Sequence, residues 1–196
     1  MPPLRLALVG AFAFPAPLGS QRFAAEQEAA LREAGAEVER FTYPTRGVTL
    51  RGVDPRKLGA DRALRQALVA AHRMRAFDAV LAHNAEAALV ALSARAALGI
   101  PVVYVVHALW EHELGSWLPA GLAPLTRALG RRLDTALAHR ADALLVLSRP
   151  ALAALEPHAR GPVARIPPGH TFEPEPTSAD VDAACARHGL AREGYA

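Results

Sequence analysis

Residues 101–107 read Pro101-Val102-Val103-Tyr104-Val105-Val106-His107, and this stretch decides the fold. A β-branched run entered through a proline has the character of a central strand buried on both faces of a parallel sheet. Upstream, Ala79 to Ala82 is a brief strand and Ala85 to Leu98 a helix closed by Gly99. Downstream come an irregular stretch from His107 to Pro119, a helix over Pro124 to His139 and the strand Ala143 to Leu147. A helix over Pro150 to Glu156, a strand over Val163 to Ile166 and the turn Pro167-Pro168-Gly169 follow. Working back to the N-terminus, Leu4 to Gly10 is a buried strand, and Ser20 stands where the cap belongs of a helix ending near Gly35. Phe23, Ala24, Ala30 and Leu31 mark the apolar side of that helix. Glu37 to Tyr43 is the next strand, and Asp61 to Phe77 has helical periodicity. Strict alternation of strand and helix predicts right-handed βαβ units: a Rossmann-like α/β domain with a parallel sheet and helices on both faces.

The chain has 196 residues, enough for one domain with a sizeable core. Hydrophobic residues at 52% and charged residues at 21% exclude a disordered or collagen-like chain. The single cysteine, Cys185, forms no internal disulfide and ties the chain to no oxidising compartment, so a cytoplasmic protein is expected. Met1 to Gly19 is not read as a signal peptide, because Pro15 and Pro17 interrupt its apolar stretch. No apolar run is long enough to span a membrane. From Arg40 to Arg75, nine basic residues stand against Asp54 and Asp61, a net +7 that leaves −4 for the rest of a chain whose total is +3. That asymmetry makes an anionic membrane surface an alternative partner, with the chain peripheral to it. The equal alternative is a solvated helix face. Nucleic acid is set aside, since the basic stretch lacks interleaved aromatics for stacking.

In a doubly wound sheet, ligands bind beyond the carboxyl ends of the strands. The loop from Gly10 to Ser20 lacks a dinucleotide fingerprint, but Gly19 lets the backbone approach a ligand and the following helix offers free N–H groups to an anion. It can equally be an ordinary strand-helix connection. After the third strand, His83 and Asn84 can bond ligand hydroxyls, or Asn84 can cap the helix that follows. After the fourth, His107, Glu111, His112 and Glu113 gather with Trp110 and Trp117. No metal is assigned, because His112-Glu113 lacks the second histidine of a zinc-binding helix. Hydrogen bonding to a polyhydroxylated ligand suits these groups better, with the alternative that only His107 faces the cleft. After the fifth, Ser148 lies in no nucleophile elbow and suits a helix cap, while Arg149 can pair with a phosphate or lie in solvent.

Four stretches together resemble one family: Gly19-Ser20-Gln21-Arg22 leading into the first helix, HNAEAALVALSARAALGIPVVYVVH, HRADALLVLS and ARIPPGHTFEPEP. In this order they are similar to the N-terminal domain of a family 4 glycosyltransferase with the GT-B fold, the retaining type. The resemblance implies transfer of a sugar from a nucleotide-sugar donor to an acceptor hydroxyl, with the nucleotide sugar as a substrate and no further cofactor. It implies a catalytic-site role for His107 near the transferred sugar and a place beside the donor diphosphate for Gly19 and Ser20. It assigns His83, Asn84, Glu111 and Glu113 to the acceptor pocket by position, and Ser148 and Arg149 are grouped with them. The family's proline-asparagine-glycine-valine-aspartate turn reads here Pro167-Pro168-Gly169-His170-Thr171, and the glycine pair of the first loop is reduced to Gly19.

The expected organisation is a domain over residues 1–178, with 179–196 as a connection toward a C-terminal donor-binding domain that this sequence does not contain. The chain by itself is therefore expected to transfer no sugar and to need that domain as a partner. A non-catalytic acceptor-binding or membrane-docking module is the alternative.

Overall fold

The computed structural model describes residues 2–14, 19–44, 54–116, 120–168 and 177–189. Among these residues six strands form one parallel sheet: β1 (Arg5–Ala13), β2 (Glu37–Tyr43), β3 (Ala79–His83), β4 (Val102–Val106), β5 (Ala143–Val146) and β6 (Val163–Arg165). Their spatial order is β2-β1-β3-β4-β5-β6, with every pair parallel. Between and after them lie α1 (Gly19–Glu33), α2 (Arg56–Met74), α3 (Asn84–Leu98), α4 (Trp110–Glu113), α5 (Ala123–Arg140), α6 (Arg149–Leu155) and α7 (Ser178–His188). The predicted Rossmann-like α/β sheet is thus the observed one.

The order reverses between β1 and β3. The connection through α1 runs one way across the sheet and those through α2, α3, α5 and α6 run the other. Right-handed crossovers in opposite directions must place their helices on opposite faces. The core divides accordingly. Phe23 and Ala24 of α1 pack with Leu6, Leu8, Val38, Leu81 and Val105 on one face. On the other, Leu64 and Leu68 of α2, most of the alanines of α3, Leu137 of α5 and Leu155 of α6 pack with Val9, Val80, Val102 and Tyr104. Alanine at Ala87, Ala88, Ala91 and Ala94, all fully buried, lets α3 lie close against the strands.

Several boundaries differ from expectation. β1 continues three residues past Gly10, because Ala11 and Phe12 are buried and Ala13 pairs with Tyr43 across a register shift. α1 begins at Gly19, so Ser20 lies in its first turn instead of at its cap. α2 begins at Arg56, five residues early, where the backbone N–H of Arg56 donates to Asp54 at 2.9 Å. The irregular stretch after His107 contains α4 and a 3-10 turn at Leu114–Ser116. The predicted turn Pro167-Pro168-Gly169 extends into residues outside those described, as does the connection 179–196 after Gly189, and Trp117 also lies outside them.

Candidate functional site

The site is built by strand periodicity at the point where the strand order reverses. Side chains alternate across a strand, so Ala79, Leu81 and His83 of β3 share the α1 face, as do Val103, Val105 and the residue two further on, His107. In the β3–β4 register His83 stands opposite Val105, which brings His107 to its diagonal. The rings meet: His83 Nδ1 and His107 Nε2 are 3.0 Å apart, a hydrogen bond between two imidazoles. From α1, Phe23 sets its ring edge-on to His107, with centroids 5.4 Å apart, and tilted to His83 at 6.2 Å. Gly10 of β1 is paired with His83 on the other side.

His83 is fully buried and ends β3, where a loop position was expected. Burial, with the neighbouring His107 ring second, lowers its pKa from 6.5 to about 3. Burial alone lowers that of His107 to about 4. Both rings are therefore neutral at pH 7. His107 keeps some exposure, whereas His83 Nε2 is buried without a partner.

The remaining predicted residues lie apart from this pair. Asn84 adopts a left-handed backbone, φ 73°, and its Oδ1 accepts from the N–H of Ala87 at 2.9 Å. It caps α3. Ser148 does the same for α6, its Oγ accepting from Ala151 N–H at 3.3 Å, and Arg149 is exposed beside it. Glu111 pairs with Arg131 of α5, which holds its carboxyl below the usual range. Glu113 turns to a second group of charges: burial first, then Glu86 and Asp134, raise its pKa, against a smaller opposing pull from Lys57. Lys57 itself bonds Glu86 at 2.8 Å. Neither carboxylate acts on His107, so the two-histidine, two-carboxylate cluster of the sequence is divided between different surroundings. Among the described residues no group of three His, Cys, Asp or Glu is placed to hold a metal ion. Gly19 is exposed and Ser20 half-buried at the start of α1.

Sequence reasoning missed the device that places α4. Asp134 of α5 accepts from the backbone N–H groups of Trp110 at 3.1 Å and Glu111 at 2.9 Å, one to each carboxylate oxygen. One turn earlier, Gly130 lies so close that a Cβ there would sit 2.4 Å from the Trp110 carbonyl oxygen. The spacing of glycine and aspartate at i and i+4 was the available signal.

Among the described residues of the basic segment, four basic ones are in ion pairs. Arg40 bonds Glu28 at 2.5 Å, Arg56 bonds Asp54 at 2.7 Å, Lys57 bonds Glu86 and Arg75 bonds Glu37 at 2.6 Å. Among the described residues no helix is long and apolar enough to cross a membrane. A separate cavity of about 700 Å³ lies between α5 and the turn Glu156–His158, lined by Arg131, Arg132, His139, His158 and Arg160 among others. No residue from the carboxyl end of a strand lines it, so it is not part of this site.

A doubly wound parallel sheet is common to many α/β proteins, and the halves of GT-B glycosyltransferases are among them. Sucrose-phosphate synthase from Thermosynechococcus elongatus matches the present fold with TM-score 0.71 and 18% identity over 97% of this chain and 53% of that one. HepE of Anabaena, solved in complex with UDP and glucose, matches with TM-score 0.58 and 16% identity over 95% of this chain and 50% of that one. The chain spans about half the length of these two structures. The family model described as Glycosyltransferase Family 4 matches residues 18–172, and the chain belongs to that family. No curated protein sequence matches it.

Proposed function

We propose that this chain supplies the acceptor-side half of a cleft in which a sugar passes from a nucleotide sugar to an acceptor hydroxyl with retention, and that a donor-binding domain or subunit supplies the other half. Family membership and the span of about half of each matched structure support the division of labour. The observation that carries the reading is His107, held neutral and partly open at the switch point of the sheet. Sugar transfer develops positive charge on the sugar and negative charge on the departing diphosphate. A neutral imidazole can hydrogen-bond sugar oxygens there without setting a cation against the first of these charges. The N–H groups of the first turn of α1, around Gly19 and Ser20, which have no partner within the helix itself, suit the second.

The test is a titration of the isotope-labelled chain with UDP-glucose, other nucleotide sugars and free sugars, followed by amide shifts. Shifts gathered at His107, Phe23 and Gly19 are expected, and His107→Ala should weaken binding about 10-fold, the equivalent of one lost hydrogen bond of about 1.4 kcal/mol. A spectrum unmoved at these residues by every compound rejects the reading. The purified chain alone should form no glycoside; transfer without a partner would overturn the two-part cleft.

A further inference from the structure

We infer that His83 is a positioning residue that fixes the tautomer of His107: His83 Nδ1–H donates to His107 Nε2, which leaves His107 carrying its proton on Nδ1 as the group offered to a ligand. The significance for sugar binding rests on the proposed role of His107, whereas the tautomers themselves rest on geometry alone.

Two arrangements of neutral rings satisfy the 3.0 Å contact between His83 Nδ1 and His107 Nε2. If His107 donated, His83 would have to carry its own proton on Nε2. That nitrogen is buried with no partner, so the arrangement would strand an N–H donor in the core. If His83 donates, its Nε2 is a bare lone pair, and an orphaned N–H is the rarer of the two in folded proteins. The hydrogen bond made by one imidazole nitrogen decides the protonation of the other, so the His107 proton goes to Nδ1. The geometry leaves little room for a swap. His83 is the last residue of β3, paired on one side with Gly10 and on the other with Val105, and Phe23 packs on both rings.

Long-range ¹H–¹⁵N spectra of the histidine-labelled chain at pH 7 read the protonated nitrogen of each ring directly. His107→Gln and His83→Asn identify the two sets of signals. Both rings of the unmodified chain should show Nδ1–H, and finding His107 as Nε2–H would overturn the inference. His83→Asn keeps an N–H donor where Nδ1 stood and should hold His107 as Nδ1–H. His83→Phe removes the donor and should shift His107 toward Nε2–H; an unchanged tautomer in the folded variant would also overturn it. Should that variant not fold, the unmodified chain and the asparagine variant decide. A failed nucleotide-sugar titration with the expected tautomers removes the proposed function and leaves the positioning role standing; reversed tautomers with successful titration do the opposite.

Discussion

The histidine pair ties the residue scale to measurable stability. Both folded pKa values, about 3 and about 4, lie below the 6.5 of an unperturbed histidine. The unfolded chain then binds more protons than the folded one as pH falls below 6.5, so folding stability is full above that value and declines on acidification. Each histidine contributes a slope of up to about 1.4 kcal/mol per pH unit inside its window. Urea unfolding from pH 7 to 4 should show this decline, and His83→Phe should remove about one proton from the slope. An identical slope in the variant would mean that His83 is charged or exposed in the folded state. His83 and His107 were both legible as residues at strand ends. Their contact was not, because it depends on the register between β3 and β4, which no local pattern records.

At the scale of elements, α4 is too short to hold itself and is fixed from α5. Asp134→Ala would leave the part-buried N–H groups of Trp110 and Glu111 without their acceptor, at about 1 kcal/mol each. Gly130→Ala would push a methyl into the Trp110 backbone, at about 1–3 kcal/mol. Both changes disturb the same contact, so denaturant unfolding of the double variant should show less than the sum; full additivity would show two independent supports. Ser148 offers a contrasting case. As a cap of α6, Ser148→Ala should cost about 1 kcal/mol of stability and leave the shifts caused by free sugars unchanged. Loss of those shifts would return Ser148 to the acceptor pocket. The cap roles of Ser148 and Asn84 were readable from sequence, since a serine or asparagine before an apolar helical run carries its own local signal. The α4 clamp was less so, because its partners are 23 and 24 residues apart.

For the whole molecule, charge placement decides more than charge total. The +7 segment counted along the chain meets Glu28, Glu37 and Glu86 from other elements, which neutralise Arg40, Arg75 and Lys57 locally. These pairings offset only part of the segment's +7, so co-sedimentation at about 0.15 M salt, where the Debye length is about 8 Å, should be only modestly greater with anionic than with neutral vesicles. Strong, salt-sensitive capture by anionic vesicles would favour membrane docking.

The sequence by itself determined the order of strands and helices, the parallel sheet, one domain of Rossmann type and the carboxyl-end loops as the place to look. Those follow from short-range periodicity, turn residues and the handedness of crossovers, all of which are written locally. Tertiary structure alone decided that His83 is buried against His107 under Phe23, that Glu111 and Glu113 part company, and that Arg40, Lys57 and Arg75 of the basic segment meet carboxylates from other elements. Each of these is a pairing between residues distant in sequence, fixed by strand register and helix packing, and burial then sets the protonation of whatever the pairing encloses.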